Sequence, residues 1–294
     1  MNETYLFVYD MLNLPSEAKA IATEKVKLPE DLFHPPLFDV GFPPALIPLW
    51  GERANLTHLG LWKHWFVPGR QPSYVRFGVE GEGYVSELGR NFEQFVRILL
   101  VELMGEDEEV HDDIATFAEI VGVDDVEELF QFTYETGPYV GALVTLPQFG
   151  ADSPLACFRN YHGFSKSGVG EAQDGLGYQG DFPHSNMSLT SESLSKVCGF
   201  EIRSKMLQER IAELSFKIPA WLNTNEQAHV FYELLEQNDL SGAWLSLNSS
   251  GWLFSEAREA ILALAEQAQD ANFSLLAKAW VEETHGFHKF VTKY

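Results

Sequence analysis

Three short stretches of the chain predict β-strands, and in one of them apolar residues alternate with polar or small ones at the period of two that a sheet with one buried face requires. In the clearest case Val75, Phe77 and Val79 fall at every second position, as expected for a strand with one buried face. Turns containing glycine or proline separate the stretches, so we expect an antiparallel meander. Its predicted strands are residues 56–66, 73–79 and 83–88.

The segments before this meander differ from it in composition. Residues 3–9 are rich in aromatic and β-branched side chains and predict a first strand, after which Pro15-Ser16 introduces a short helix. Residues 28–50 contain six prolines. Because proline removes a backbone donor, we expect this stretch to form an irregular packed segment.

A helical period replaces the strand pattern after residue 90. Asn91-Phe-Glu-Gln94 has the spacing of a capping box, with Asn in place of Ser or Thr. A continuous apolar stripe then predicts a helix: Phe92, Phe95, Val96, Leu99 and Leu103. Two further stretches have helical spacing, and they predict short amphipathic helices with acidic outer faces. Their apolar residues are Ile114, Phe117, Ala118 and Val121, then Val126, Leu129 and Phe130.

The last third of the chain predicts helices after a change in composition. Residues 150–193 are rich in glycine and serine and have little periodicity, which indicates a long loop or linker. Helical patterns follow, with a capping box at Thr224-Asn-Glu-Gln227 and a predicted cap at Ser255. We therefore predict an α+β fold. Residues 1–149 form an antiparallel meander flanked by helices, and residues 194–294 form a mostly helical region.

The net charge is −23 at pH 7, and it is concentrated in one fifth of the chain. Residues 98–158 contain 14 acidic side chains and no Lys or Arg. This charge argues against direct binding to nucleic acid or to anionic lipid, because contact would add repulsion instead of releasing counterions. A basic protein is the expected partner.

The acidic residues of this segment have two interpretations that the sequence leaves open. They form a solvated face that maintains solubility, or they form a docking face that accelerates association with a cationic protein. We expect a docking face to consist of these residues: Glu102, Glu106, Asp107, Glu108, Glu109, Asp112, Asp113, Asp124, Asp125, Glu127 and Glu128.

Trp62 and Trp65 lie in an aromatic cluster that also has two interpretations. Tryptophan supplies large, rigid anchors at protein interfaces, frequently beside arginine, and Arg70 and Arg76 follow in the chain. Packing in the core explains the alternating members of the cluster equally well. We expect most of the cluster in the core and Trp62 and Trp65 as candidate anchors.

Motifs that carry chemistry are weak in this chain. Gly175-Leu-Gly177-Tyr-Gln-Gly180 has the spelling of a dinucleotide loop, but a polar stretch precedes it and Pro183 follows where a helix should begin. Ser193-Leu-Ser-Lys196 lacks the companion elements of serine–lysine enzymes. His111-Asp112-Asp113 resembles the start of a helix more than a metal site. We therefore predict no catalytic residues, no metal and no cofactor.

Cysteine usage and hydropathy bear on location. Cys157 and Cys198 allow at most one intramolecular disulfide, which is consistent with a reducing compartment. The longest apolar-looking stretch without charge, residues 136–151, is too short to span a bilayer and contains two prolines. The beginning of the sequence does not have the pattern of a secretion signal. We expect a cytoplasmic protein that does not enter the membrane.

Part of the chain resembles the SUKH superfamily. The resemblance is carried by four segments within about residues 28–104, after a Leu28-Pro29 pair: Phe42-Pro-Pro-Ala-Leu-Ile-Pro-Leu-Trp50, Leu59-Gly-Leu-Trp62, Tyr74-Val-Arg-Phe77 and Glu87-Leu-Gly-Arg-Asn-Phe-Glu-Gln-Phe95. Members of this superfamily are mostly bacterial immunity proteins that neutralise toxins, many of them nucleases or deaminases. The resemblance implies an immunity protein that occludes a basic toxin.

A second resemblance implies an enzyme. Tyr5-Leu-Phe-Val-Tyr9-Asp-Met-Leu12 is similar to the opening strand and substrate loop of gamma-glutamylcyclotransferase-like proteins, with Asp10 and Met11 in place of Gly and Thr. It implies a pocket lined by Tyr5, Tyr9 and a carboxylate. A non-catalytic scaffolding protein is the third possibility.

Overall fold

A computed structural model describes most of the chain. The described residues are 3–30, 32–36, 41–52, 57–66, 71–78, 84–105, 109–137, 140–150, 152–155, 215, 217–218, 226–249 and 252–285. Their element order begins with helices α1 (Glu3–Met11) and α2 (Ser16–Ala22) and continues with the short strand β1 (Phe33–His34). The sequence-based α+β assignment is confirmed, since an antiparallel sheet is followed by a helical region.

The sheet is a meander in which each strand pairs with the next one along the chain. After β1 come β2 (Leu46–Glu52), β3 (Thr57–Trp62), β4 (Ser73–Gly78) and β5 (Tyr84–Gly89), all antiparallel in the order β1-β2-β3-β4-β5. The three predicted strands of the meander are confirmed, the first two with shorter bounds and the third displaced by one residue.

The proline-rich segment contributes β1 and β2, so the prediction of irregular structure through residue 50 was wrong. Pro48 is tolerated because the register shifts between Pro48 and Trp50, which places the proline at an irregularity of the ladder. On the neighbouring strand, a Cβ at Gly60 would lie 2.3 Å from the carbonyl oxygen of Ile47. Glycine at that position allows the two backbones to approach closely.

The predicted first strand, residues 3–9, is wrong, because these residues belong to helix α1. Tyr5, Val8 and Tyr9 are fully buried and lie three and four positions apart, whereas Phe7 is 61% exposed. That spacing is helical. The hydroxyl of Tyr9 donates to the carbonyl oxygen of Pro48 at 2.6 Å, which ties α1 to the sheet. The aromatic composition of residues 3–9 favoured a strand, but their pattern of burial is that of a helix.

Helix α3 (Phe92–Met104) begins as predicted, with the side chain of Asn91 accepting from the backbone N–H of Gln94 at 2.9 Å. The reciprocal bond differs from the expected box, since the Gln94 side chain accepts from the backbone N–H of Arg90. Helices α4 (Asp112–Val121) and α5 (Val126–Thr136) pack against α3, and 3-10 segments follow at Val140–Thr145 and Pro147–Phe149.

The C-terminal helices are α6 (Gln227–Glu236), α7 (Leu240–Leu247), α8 (Phe254–Ala268) and α9 (Ala271–Thr284). The predicted cap at Ser255 was wrong, because α8 starts after Leu253. Asp270 caps α9 by accepting from the N–H groups of Asn272 and Phe273. Of the predicted capping box at residues 224–227, the first two residues lie outside the described residues.

One hydrophobic core runs through the described residues of ranges 1–149 and 226–285. Three hydrogen bonds join the ranges across it. The backbone N–H of Ala45 donates to Oδ1 of Asn248 at 2.7 Å, and the indole N–H groups of Trp244 and Trp280 donate to the carbonyls of Lys63 and Phe42. The helical region therefore covers the sheet and α1. Most of the predicted linker, residues 150–193, lies outside the described residues.

None of the helices among the described residues is both long enough and apolar enough to cross a membrane.

Candidate functional site

The carboxylates of α4, of α5 and of the turns before them point to solvent. We call this set the acidic surface. Its members are exposed or half-exposed: Glu109, Asp112, Asp113, Glu119, Asp124, Asp125, Glu127, Glu128 and Glu135. Glu106, Asp107 and Glu108, which were also predicted to bind a partner, lie outside the described residues.

The apolar spacing of α4 and α5 determines which way the acids face. Ile114, Phe117, Ala118 and Val121 are buried on the inner side of α4, as predicted. On α5, Leu129 and Thr133 are buried one turn apart. Acidic residues in the first turn of each helix also interact favourably with the positive end of the helix dipole. The same pattern therefore stabilises the helices and exposes their charge.

Arginines from outside the acidic segment neutralise part of it, and two of them reach predicted partner-binding residues, whereas Arg90 pairs with Asp152. Arg97 on α3 is buried and donates two hydrogen bonds to Asp125, at 2.8 and 3.1 Å. Arg76 on β4 lies between Glu52, at 2.7 Å, and Glu102, at 2.5 Å. Glu102 and Asp125 are thus held by internal ion pairs. The charge count treated them as free to bind a partner, but each already has a cationic partner within the chain.

These pairs change the ionisation of their members. Hydrogen bonds from Arg97 lower the pKa of Asp125 below its usual value, although burial acts in the opposite direction. Burial alone would lower the pKa of Arg76, but the hydrogen bonds and charges of Glu102 and Glu52 outweigh it and raise the pKa. Asp125 and Arg76 are therefore both charged at neutral pH.

Trp62 does not lie on the surface, so its prediction as a partner-binding anchor was wrong. It is 1% exposed, because both faces of β3 are covered. Trp65 is half-buried against Phe273 of α9, with ring centroids 5.4 Å apart, and the ammonium group of Lys63 lies 5.4 Å from its ring centroid. The Trp65 side chain therefore joins the end of β3 to α9.

Tyr134 is an exposed aromatic residue on the acidic surface that the sequence reasoning missed. It is 50% exposed and packs beside Phe130, with a centroid distance of 6.4 Å. Glu127 lies two helical turns before Tyr134 on the same side of α5, and Glu128 and Glu135 are exposed on the sides that flank it. The helical period contained this signal, because it places residue 134 opposite buried Leu129 and Thr133.

The residues of the second resemblance do not form the strand and loop that it implies. Tyr5 and Tyr9 lie in a helix instead of a strand and loop. Burial raises the pKa of both phenols, followed by the charge of Tyr9 and then Glu283 for Tyr5 and by the charges of Glu283 and Glu24 for Tyr9. His111 lies at the start of α4, as the helix-start interpretation predicted. No group of three or more His, Cys, Asp or Glu residues in the described part of the chain has the geometry of a metal site. The motifs at residues 175–180 and 193–196 lie outside it.

Comparison of the chain with protein-family models, with curated proteins and with solved structures gives no match in any of the three. The resemblance to the SUKH superfamily therefore stays a prediction. The functional argument rests on the geometry of the acidic surface.

Proposed function

We propose that the protein binds a cationic partner protein through the acidic surface. The observation that supports this is the segregation of charge. Asp112, Asp113, Glu119, Asp124, Glu127 and Glu128 are exposed on or just before two consecutive helices that both pack against α3, and residues 98–158 supply no Lys or Arg to pair with them. A surface that served solubility alone would not require acids to be gathered on one pair of helices.

The proposed contact has two parts with different physical roles. Exposed carboxylates steer a cationic partner during approach and raise the association rate in a salt-dependent way. Tyr134 and the half-buried Phe130 supply an apolar contact beside these charges, and such contacts set the dissociation rate. Tyr134 takes the place that the sequence had suggested for Trp62 and Trp65.

The mechanism that we propose is stoichiometric occlusion in the cytoplasm. A toxin that acts on nucleic acid must present Lys and Arg to its anionic substrate. A protein that covers those side chains with carboxylates competes with the substrate without chemistry of its own. This extends the immunity function that the SUKH resemblance implies, and it assigns the contact to α4 and α5.

The test is a charge reversal of Asp113, Glu127 and Glu128 to lysine in the full chain. The wild type, used as bait with extracts of its own host, should retain a basic protein that the triple variant does not retain. At low salt, the triple variant should associate with the purified partner at least about tenfold more slowly than the wild type. The association rate of the wild type should fall steeply as salt is added.

The matched control reverses three exposed acids on the C-terminal helices, Glu236, Glu259 and Glu266, and changes the net charge by the same amount. It should associate at close to the wild-type rate. Equal slowing in both triple variants would show that net charge acts without a defined surface, and it would contradict the proposal. Coexpression tests the immunity function, because the wild type should protect cells from the partner's toxicity and the first variant should not.

A further inference from the structure

The last turn of α5 combines three features that attract a cation. Tyr134 is 50% exposed there, Glu135 is exposed beside it, and the turn contains no Lys or Arg. The backbone carbonyls at the end of a helix carry the negative end of the helix dipole, which favours positive charge. A cationic group from another molecule is therefore stabilised at this turn.

Contacts with the core hold the ring of Tyr134 in place. The ring packs beside Phe130, one turn earlier, with ring centroids 6.4 Å apart, and Phe130 is half-buried against the core. The preceding residue, Thr133, is buried, and its hydroxyl donates to the carbonyl oxygen of Leu129 at 2.8 Å. Because these contacts fix the inner side of α5, the exposed part of the Tyr134 ring lies at a defined place on the surface.

The arginine that reaches α5 does not neutralise the carboxylates near this ring. Arg97 is buried and pairs with Asp125, the residue before the helix. Asp125 precedes Tyr134 by roughly 14 Å along the helix axis. Among the described residues, Glu128 and Glu135 form no ion pair with a base. The negative charge beside Tyr134 therefore faces solvent and is complementary to a cationic partner.

Arginine suits this turn better than lysine does. Both side chains are cationic, but the guanidinium group is planar, is more weakly hydrated than an ammonium group and stacks on aromatic rings. Its five N–H donors can pair with a carboxylate and with backbone carbonyls at the same time. An ammonium group retains more of its hydration at an exposed position and gains less from the ring.

We propose that Tyr134 selects an arginine of the cationic partner over a lysine, because the guanidinium group stacks on its exposed ring. Glu135 and the carbonyl groups of the last turn of α5 lie beside the stacked cation. This inference rests on the proposed function, since it concerns the same acidic surface, and it adds the chemical class of the side chain that is bound. The occupant is thus an arginine-rich segment of the partner protein.

The test compares octa-arginine with octa-lysine, which have equal charge, as probes for the full chain. Fluorescence anisotropy of the labelled peptides at one low salt concentration gives both dissociation constants. We expect the wild type to prefer octa-arginine. Tyr134→Leu should reduce this preference about threefold, which is the size of one exposed cation–π contact. Tyr134→Phe retains the ring and should retain the preference.

Tyr232→Leu is the matched control. Tyr232 is 40% exposed on α6, where burial raises the pKa of its phenol and the charges of Glu259 and Glu256 raise it further. It is a similar ring beside acids, but Arg258 lies between those two acids in the chain. Tyr232→Leu should leave the preference for octa-arginine unchanged. An equal loss of preference in both leucine variants would show that any surface tyrosine beside acids has this effect, and it would overturn the assignment to α5.

The same peptides separate failure of this inference from failure of the proposed function. The reference is the Asp113→Lys, Glu127→Lys, Glu128→Lys variant. If both peptides bind the wild type more tightly than this variant, but Tyr134→Leu keeps the full preference for octa-arginine, the acidic surface stands and the role of Tyr134 is overturned. If neither peptide distinguishes the wild type from this variant, the acidic surface is overturned together with this inference.

Discussion

Arg97 and Asp125 show how a single pair differs from the charge count that surrounds it. Fourteen acids without a base suggested a surface with few internal ion pairs, yet a buried guanidinium from α3 reaches one of them. The arginine lies 28 positions before its partner, outside the base-free segment. At this scale, only the folded chain shows which carboxylates are already neutralised and which face solvent alone.

The Arg97–Asp125 pair should make folding stability depend on acid pH. The folded state lowers the pKa of Asp125, so the unfolded chain binds a proton at a higher pH than the folded chain does. Protonation therefore favours the unfolded chain, and the free energy of unfolding decreases as the pH falls. The contribution of the pair is therefore complete above the usual aspartate range, near pH 5, and is lost as the pH falls through the lowered pKa. Because Asp125 is 44% exposed, we expect less than about 1 kcal/mol.

The measurement is the free energy of unfolding, obtained from denaturant titrations at several values between pH 6 and pH 3. This range covers roughly the pH at which unperturbed aspartates titrate. Asp125→Asn should be less stable than the wild type at pH 6, and the difference should shrink toward pH 3. Asp124→Asn is the control, since Asp124 is exposed and forms no ion pair with a described residue. A constant difference across this range would contradict the linkage.

At the scale of elements, α3 connects the sheet to the acidic helices. It follows β5 through a tight turn, in which a Cβ at Gly89 would lie 2.7 Å from the backbone nitrogen of Phe95. Its inner side packs on Trp50 and Tyr74 through Phe95 at 5.2 and 5.1 Å, and α4 and α5 pack against it. The start of this helix therefore positions the acidic surface relative to the sheet.

Loss of the cap at Asn91 should destabilise α3 without changing its core contacts. Asn91→Ala removes the acceptor for the N–H of Gln94, and we expect a loss of about 1 kcal/mol in the free energy of unfolding. Asn91→Ser retains an acceptor at the same position and should restore most of that stability. Denaturant melts monitored by far-ultraviolet circular dichroism give both values, and equal stability of the alanine and serine variants would show that the cap contributes nothing.

On the scale of the whole molecule, the helical region covers the sheet and is not a detached unit. Asn248 is buried, accepts from the N–H of Ala45, 203 positions away, and donates to the carbonyl of Trp244. Around it, Trp280 packs on Phe254 at 6.0 Å and donates to Phe42. A shared core of this kind predicts cooperative unfolding of sheet and helices.

Asn248→Ala tests this cooperativity, because it leaves the buried N–H of Ala45 without its acceptor. We expect a loss of about 1–3 kcal/mol. The transitions followed by tryptophan fluorescence and by circular dichroism should shift together. Asn272→Ala, at an exposed position of α9, should change stability little. Separate transitions of the two signals would show that the helical region unfolds by itself.

The sequence alone determined those features that depend on near neighbours in the chain. Alternation at Val75 and Phe77 identified a strand, Asn91 identified the start of a helix, and helical spacing at Ile114 and Phe117 gave the inner side of α4. The exposed acids of the candidate site followed from the same spacing. Residues 3–9 were misassigned because aromatic composition was read without the three- and four-residue spacing of Tyr5, Val8 and Tyr9.

Tertiary structure decided everything that depends on partners distant in sequence. Burial of Trp62, pairing of Arg97 with Asp125 and the bond between Ala45 and Asn248 each result from contacts that no local pattern contains. Hydrophobic burial is nondirectional, so an apolar side chain in the sequence indicates burial but not the surface that covers it. Hydrogen bonds and ion pairs require specific atoms at short distance, and only the folded chain brings those atoms together.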